Sequence, residues 1–347
     1  MPVIQSERLK AFVIDIFIAV GVARNIAERT ADHLVDANLA GVDSHGVLRV
    51  PDYVAMVRAG NMACEDRIEV VREFAATALW DAHYTFGQYA AWRASNAVME
   101  KAKQFGVGLI TTRNSAHIGR LGEYVEHIAR AGFIGFMSAN LQGSGQRVAP
   151  HNGRFARLGT NPIAWGLPTG SVPMVLDMST SVSAEGKVRV KMRRGETLTP
   201  GWLLNNKGNP TLNPADLYGP PYGAILTAGG HKGYGLSLVA EALSGILPMG
   251  GWSKRGGDVE RLENGFAVIA IHIDAVGSLE QFIKGADELM AHCRDTAPVD
   301  GAVEVLIPND PEVRSRQQRL IEGIPIEDDT WRLIVQTANS LNVPVPE

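Results

Sequence analysis

The amino-acid sequence predicts an α/β protein in which a small helical domain packs beside a sheet domain. Three observations support this prediction. Residues 1–60 show only helical periodicity, strand-like and helix-like segments alternate from about residue 70 onward, and a last amphipathic helix is expected to pack back on the first ones. We therefore expect a helical domain of residues 1–70 plus 310–347, built from both chain ends, and an α/β domain of residues 71–309.

Composition limits the possible functions. The chain has 347 residues, of which 45% are hydrophobic and 20% charged, so it can bury a sizeable core. The net charge of -4, with both signs spread along the chain, argues against a nucleic-acid binder. No segment has the roughly 18 consecutive apolar residues of a membrane span, and the first residues lack a signal-peptide pattern, so we expect a cytoplasmic protein without membrane contact. Cys64 and Cys293 show no metal-ligand spacing, and no metal site is expected.

The N-terminal residues predict two helices. Ser6 is expected to cap the first, and Asn25 with Glu28 matches a capping box that opens the second, which should end near Gly41. The buried face of the first helix carries apolar residues at helical spacing: Leu9, Phe12, Val13, Ile16, Phe17 and Val20.

Residues 43–53, DSHGVLRVPDY, place His45, Arg49 and Tyr53 four residues apart. Pro51 favours a loop that leads into a helix beginning near that proline, and the three side chains can converge in either conformation. A guanidinium binds a carboxylate through two parallel hydrogen bonds, and a neighbouring imidazole can exchange a proton. The segment therefore predicts a site for a carboxylate-bearing substrate. The alternative is a helix cap followed by solvated charged residues.

The α/β domain is expected to contain helices over residues 88–105 and 278–293. A charged helix after the last strand and a helix over residues 330–341 complete the chain. The expected strands are short apolar segments: residues 68–70, 78–80, 106–110, 133–139, 163–167, 174–178, 266–273 and 303–307.

Residues 111–124, TTRNSAHIGRLGEY, follow one of these strands and lead into a helix. The loop places His117 at a strand end, where α/β proteins commonly bind ligands. It also supplies polar groups and two glycines that let a ligand approach the backbone: Asn114, Ser115, Arg120, Gly119 and Gly122. His117 is therefore a candidate for proton transfer, and the alternative is a loop histidine that caps the next helix.

Residues 229–235, GGHKGYG, open another helix. Backbone N–H groups at a glycine-rich helix start, with Lys232 among them, favour binding of a phosphate or carboxylate.

The sequence lacks GxGxxG, GxxxxGK[ST], HExxH and GxSxG, which counts against a usual dinucleotide fold, a P-loop, a zinc hydrolase and an α/β-hydrolase esterase. The residues alone thus indicate an α/β enzyme that applies histidine acid–base chemistry to an anionic small molecule.

Six motifs occur in order: DSHGVLRVPDY (43–53), RNSAHIGRLG (113–122), RLGTNPIA (157–164), LDMSTS (176–181), GWLLNNKGNPT (201–211) and GGHKGYGLS (229–237). Together they resemble the type 2 malate/L-lactate dehydrogenase family over about residues 5–335. The combination of NSAHIGRLG (114–122) with GKVRV (186–190) and TPGWLLNNKGNPTLNP (199–214) looks most similar to its hydroxycarboxylate dehydrogenase members, which reduce 2-oxo acids.

This resemblance implies a nicotinamide cofactor, NAD or NADP, bound on a non-Rossmann sheet domain. It also implies a homodimer whose active site lies between the cofactor domain and a helical domain built from both chain termini. The reaction would be hydride transfer between NAD(P)H and C2 of a small 2-oxo acid, with 2-hydroxy acid oxidation as the reverse. A reductase of a carboxylated cyclic imine stays open as an alternative, as does a non-redox small-anion-binding or hydrolytic protein.

Carried over position by position, the family pattern gives His117 and His45 as catalytic histidines, and either can be the proton donor. Arg49 would hold the substrate carboxylate, with Tyr53 as its neighbour. The cofactor-binding residues would be His45, Gly119, Arg120, Leu121, Leu176, Asp177, Met178, Ser179, His231, Lys232 and Asn264.

The chain departs from the family pattern at one turn before the C-terminal charged helix. The family commonly has Pro-Gly-Glu there, and this chain has Pro308, Asn309 and Asp310. Asparagine tolerates the left-handed backbone conformation that glycine would supply, so the turn itself can be kept.

Overall fold

The computed structural model describes residues 1–142, 145–254 and 263–346. Within these ranges no helix is long and apolar enough to cross a lipid bilayer. The helices are α1 (Ser6–Ala19), α2 (Arg24–Leu39), α3 (Val50–Arg58), α4 (Gly87–Phe105), α5 (Gly122–Arg130), α6 (Glu185–Arg193), α7 (His231–Glu241), α8 (Leu279–Arg294), α9 (Asp310–Glu322) and α10 (Asp328–Asn339). The strands are β1 (Val3–Ile4), β2 (Glu69–Phe74), β3 (Thr77–Asp81), β4 (Val107–Ala116), β5 (Phe133–Gln142), β6 (Ile163–Leu167), β7 (Met174–Met178), β8 (Leu203–Leu204), β9 (Pro210–Thr211), β10 (Ala224–Ile225), β11 (Glu263–His272) and β12 (Ile324–Pro325).

Seven strands form one mixed sheet in the order β2-β3-β4-β11-β5-β6-β7. Strands β3 and β4 pair in parallel, and the other neighbours in this sheet are antiparallel. Helices α4 and α5 share a hydrophobic core with the central strands, in which Ile110, Ile128 and Val268 are fully buried. The predicted α/β class is confirmed, although the alternation of segments did not predict so many antiparallel pairs.

The two chain ends share a second hydrophobic core. Strand β1 pairs with β12, and α1 and α10 bury apolar residues in the same cluster as α2 and α3. Phe12 and Trp331 join the two ends directly, with ring centroids 5.7 Å apart. The cluster also contains Ala116, the last residue of β4. The helical unit therefore lies against the end of the strand that leads to His117.

Several local predictions differ from the structure. Helices α1 and α2 begin at Ser6 and Arg24, and the residues before them make no side-chain capping bond, so apolar packing sets these starts. Residues 303–307 form no strand, because Val303 is 94% exposed and no described strand pairs with the segment. In contrast, α3 has a proline in its first turn as predicted, and Ser278 caps α8 by accepting a hydrogen bond from Gln281 N.

Candidate active site

His117 lies where the sheet meets the helical unit. It directly follows β4, and its ring stacks on that of His45 with centroids 5.7 Å apart and planes at 17°. Its Nδ1 lies 2.7 Å from the hydroxyl of Tyr53, which is 64 positions away in the chain. Both contacting residues come from the 43–53 motif. The fold thus brings the two histidine-containing motifs together.

Tyr53 lies behind His117. Its side chain is fully buried, and its hydroxyl accepts a second hydrogen bond of 2.8 Å from Gln88 Nε2. Burial raises the pKa of Tyr53 above the ordinary tyrosine range, so the hydroxyl stays protonated. This O–H donates to His117 Nδ1, and a neutral His117 therefore carries its proton on Nε2. The sequence predicts Tyr53 beside Arg49 at the substrate. In the structure its buried hydroxyl supports His117 instead.

Arg49 reaches a cleft of about 980 Å³ between the helical unit and α6. Its Nε donates to Ser44 O at 3.1 Å, and its Nη1 lies 3.4 Å from Asp52 Oδ2. Its Nη2 has no hydrogen-bond partner among the described residues. Two of the three guanidinium nitrogens therefore contact the protein, while Nη2 can bind an anion from the cleft.

Both site histidines are neutral at neutral pH. Burial, reinforced by the positive charge of Arg49, lowers the pKa of His45 to about 3. The same two causes lower the pKa of His117 well below 6.5. A neutral His117 can accept a proton. An anion bound at Arg49 would offset the positive charge and so raise the pKa of His117 again.

The loop after His117 is fixed from both sides. Ile118 N donates to Asn264 Oδ1 at 3.0 Å, and Arg120 N donates to His33 Nε2 at 2.9 Å. Gly119 between them has a φ of +75°, and a Cβ at this position would lie 2.0 Å from His33 Nε2. Only glycine fits there. The sequence did not reveal His33, because a histidine within an amphipathic helix carries no local signal of such a contact.

Three expected cofactor residues turn their side chains into the interior. The Arg120 side chain is 3% exposed, and its Nη2 donates to Asp36 Oδ2 at 3.1 Å, so the guanidinium is already paired. Leu121 is 2% exposed and packs in the sheet core. Asn264 is buried, and its Nδ2 donates to Asn140 O at 2.8 Å. The Leu121 and Asn264 side chains support the loop from the interior, whereas Arg120 also lines a recess that it shares with β7.

The end of β7 lines a second recess, of about 350 Å³. Leu176 and Asp177 contribute to it, and Asp177 Oδ2 accepts a hydrogen bond of 2.7 Å from Gly122 N. Asn309 lies on its wall with a φ of +86°, and its Nδ2 donates to Pro173 O at 3.1 Å. Asparagine therefore takes the left-handed conformation that the family's glycine would supply, as the sequence predicted.

His231 and Lys232 are exposed on the first turn of α7. Two glycines with positive φ precede them. A backbone hydrogen bond of 2.9 Å from Ala228 N to Thr180 O places this helix start beside the segment that follows β7. Residues 178–179, two further expected cofactor contacts, are partly buried in that neighbourhood. The LDMSTS and GGHKGYGLS motifs are thus adjacent in space.

Tyr53 aligns the neutral His117 imidazole, and the nearby Arg49 can bind a carboxylate. This arrangement defines an acid–base enzyme for a small organic acid. Comparison with known proteins gives the family. The chain belongs to the malate/L-lactate dehydrogenase family, whose sequence model matches residues 4–335. The family predicted from the six motifs is confirmed.

Individual relatives cover almost the whole chain. Hydroxycarboxylate dehydrogenase B of Escherichia coli O157:H7 is 34% identical over 343 residues, which are 98% of this chain and 94% of the relative. The solved sulfolactate dehydrogenase of Methanocaldococcus jannaschii is 33% identical with a TM-score of 0.89, covering 99% and 98% of the two chains. The solved delta1-piperideine-2-carboxylate reductase of Pseudomonas syringae pvar. tomato is 28% identical with a TM-score of 0.86, covering 97% and 100%. The chain is therefore an oxidoreductase of the 2-hydroxy acid dehydrogenase type.

Proposed function

We propose that the chain transfers a hydride reversibly between NADH or NADPH and C2 of a small 2-oxo acid, with His117 as the proton-transfer group. The observation that supports this most strongly is the 2.7 Å hydrogen bond between Tyr53 and His117 Nδ1. It orients the ring and leaves Nε2 free to exchange a proton with the substrate oxygen. In oxidation the neutral ring accepts this proton, and in reduction the protonated ring returns it.

Arg49 is the proposed anchor of the substrate carboxylate. Its Nε is held by Ser44 O, so the guanidinium is oriented before the substrate arrives and can offer Nη2 to the carboxylate. His45 stacks on His117, and its Nδ1 contacts only the Ser44 hydroxyl, at 3.0 Å, among the described residues. Because no buried group aligns His45 as Tyr53 aligns His117, we assign the proton transfer to His117 rather than to His45.

The residues near the second recess fit a nicotinamide cofactor. Leu176 offers an apolar surface, and Asp177 offers a carboxylate that can accept hydrogen bonds from hydroxyl groups. His231 and Lys232 are exposed at a helix N-terminus, which attracts phosphate. When bound, the cofactor supplies the hydride for C2. Arg120 lines the recess but is already paired with Asp36, so we propose Lys232 as the phosphate contact.

The oxidation of a 2-hydroxy acid is expected to stay efficient below pH 6.5. Oxidation needs neutral His117, and burial with Arg49 lowers the pKa of this ring, so it stays neutral as the pH falls through the ordinary histidine range. The kcat/KM for oxidation, measured from about pH 5 to 8, should fall only at the acidic end. Arg49→Gln removes the positive charge and should move the fall to higher pH. A fall centred near pH 6.5 in the unchanged protein would contradict the proposal.

We infer that the protein is a homodimer whose subunits meet at α7. This helix and the turn after it expose apolar side chains: Leu236, Leu238, Val239, Ile246, Leu247, Met249 and Trp252. Exposed apolar patches of this kind commonly mark an interface. Val239→Asp should convert the dimer to a monomer in light scattering, whereas Val276→Asp, at an exposed position before α8, should leave the mass unchanged. A monomeric unchanged protein would refute the inference.

A screen of 2-oxo acids with NADH and with NADPH, following nicotinamide absorbance, tests the proposed reaction. A carboxylated cyclic imine belongs in the same screen, because the chain resembles a piperideine-carboxylate reductase and Arg49 could hold that carboxylate as well. Turnover of the 2-oxo acids supports the main proposal, and turnover of the imine alone favours the second. Family membership leaves no support for the non-redox alternatives.

A further inference from the structure

Gln88 is a fully buried amide at the start of α4. Its Nε2 donates to the Tyr53 hydroxyl at 2.8 Å. Its Oε1 is also buried and has no hydrogen-bond partner within the described residues. An unsatisfied buried acceptor costs stability, so its presence calls for an explanation such as a role in another state of the molecule. No motif singled out this residue, because a glutamine at a helix start carries no chemical signal of its own.

The two protonation states of His117 need opposite hydrogen bonds from Tyr53. When His117 is neutral, its Nδ1 is an acceptor, so Tyr53 donates to it and receives a hydrogen bond from Gln88 Nε2. When His117 is protonated, its Nδ1–H donates to the tyrosine oxygen. The tyrosine O–H must then find another acceptor. Among the described residues the Tyr53 hydroxyl contacts only His117 and Gln88. Rotation of the Gln88 amide would place its Oε1, which has no other partner among these residues, next to the hydroxyl as an acceptor.

We propose that Gln88 is a positioning residue for proton transfer, whose amide donates to Tyr53 when His117 is neutral and accepts from Tyr53 when His117 is protonated. This inference rests on the proposed function of His117. The other ionisable groups that act on the ring are His45, Arg49 and His33. His45 and His33 belong to the helical unit, as Arg49 does, and none of the three contacts the Tyr53 hydroxyl. Gln88 is the group that can adapt to both states.

Histidine NMR of isotope-labelled protein without cofactor tests the inference directly. The chain has nine histidines, and the His117→Gln variant identifies the signal of His117. In the unchanged protein His117 should be a single tautomer with its proton on Nε2. In Gln88→Met the tyrosine loses its donor and can accept from Nδ1 instead, so both tautomers should appear. Ser95→Ala, a buried change on the same helix, should leave the signal unchanged.

The pH profile of 2-oxo acid reduction gives a second readout. Reduction needs protonated His117, and Gln88→Met removes the acceptor that this state requires, so the loss of kcat at high pH should begin about one pH unit lower. Gln88→Glu keeps an acceptor and should shift the loss to higher pH, which covers the case that the methionine variant does not fold. With Tyr53→Phe already present, Gln88→Met should have no further effect, because Gln88 acts through the hydroxyl.

Failure of the Gln88 proposal and failure of the proposed function of His117 would give different results. A single Nε2–H tautomer in Gln88→Met, or unshifted pH profiles in both Gln88 variants, would overturn the role of Gln88. Near-full turnover of a His117→Ala variant would instead overturn the proton-transfer role on which it rests.

Discussion

Replacing His117 by alanine is expected to lower kcat for 2-oxo acid reduction by about 10²- to 10⁴-fold, the contribution of a positioned acid–base group. The ring is held by Tyr53 at the end of β4, and alanine leaves no group at the place of Nε2 that can exchange a proton. Cofactor affinity should change little, because the proposed cofactor contacts lie on β7 and α7. Turnover at saturating substrate and fluorescence titration with the reduced cofactor measure the two effects separately.

His272→Ala is a matched control for this variant. His272 ends β11 and packs against Phe133 with ring centroids 5.1 Å apart, whereas Ala116, next to His117, pairs with the opposite end of β11. The control should therefore keep its turnover. If His117→Ala also kept nearly full turnover, the proton would have to come from His45 or from water, and a large loss in His45→Ala would identify His45 as the donor.

The sequence predicted the site residues that are reactive or charged and that stand in short motifs. His45, Arg49 and His117 are reactive or charged side chains in short motifs, and the fold brings the two histidines into contact. The residues that hold them, Gln88 and His33, lie in amphipathic helices, where the pattern reports only which face is buried. The lowered pKa of each histidine also comes from burial, which is a property of the packed structure.

The direction of side chains in the loop motif could not be predicted either. Arg120 follows His117 closely in the sequence, and its charge suggests a contact with a ligand, yet it pairs with Asp36, 84 positions earlier. The same limit applies to the sheet. The apolar segment of β11 was predicted, but its place between β4 and β5 depends on pairing with strands far away in the chain.

Replacing Glu123 by glutamine is expected to destabilise the folded protein by about 3–5 kcal/mol, the cost of removing one partner from a buried ion pair. Glu123 contacts both Arg29 and His33, and the three side chains are 15%, 13% and 0% exposed. Burial alone would raise the pKa of Glu123, but His33 and Arg29 hold it well below its usual range. Without the carboxylate, the Arg29 guanidinium, which lies 4.3 Å from the centre of the Trp92 ring, keeps its charge in the interior. Denaturant unfolding or the shift in Tm measures the loss.

Glu28→Gln provides the comparison, because Glu28 pairs with Arg24 on the same helix as Arg29 but the two side chains are 47% and 72% exposed. A surface pair of this kind contributes about 0–1 kcal/mol, so this variant should unfold like the unchanged protein. Replacing Arg29 and Glu123 together by methionine removes both charges and should recover part of the stability lost in Glu123→Gln. Glu123→Gln should also lower turnover below its unfolding temperature, since His33 accepts the hydrogen bond from Arg120 N that fixes the loop after His117. Equal stability of the Glu123 and Glu28 variants would show that the buried charges do not hold the helical unit to this loop.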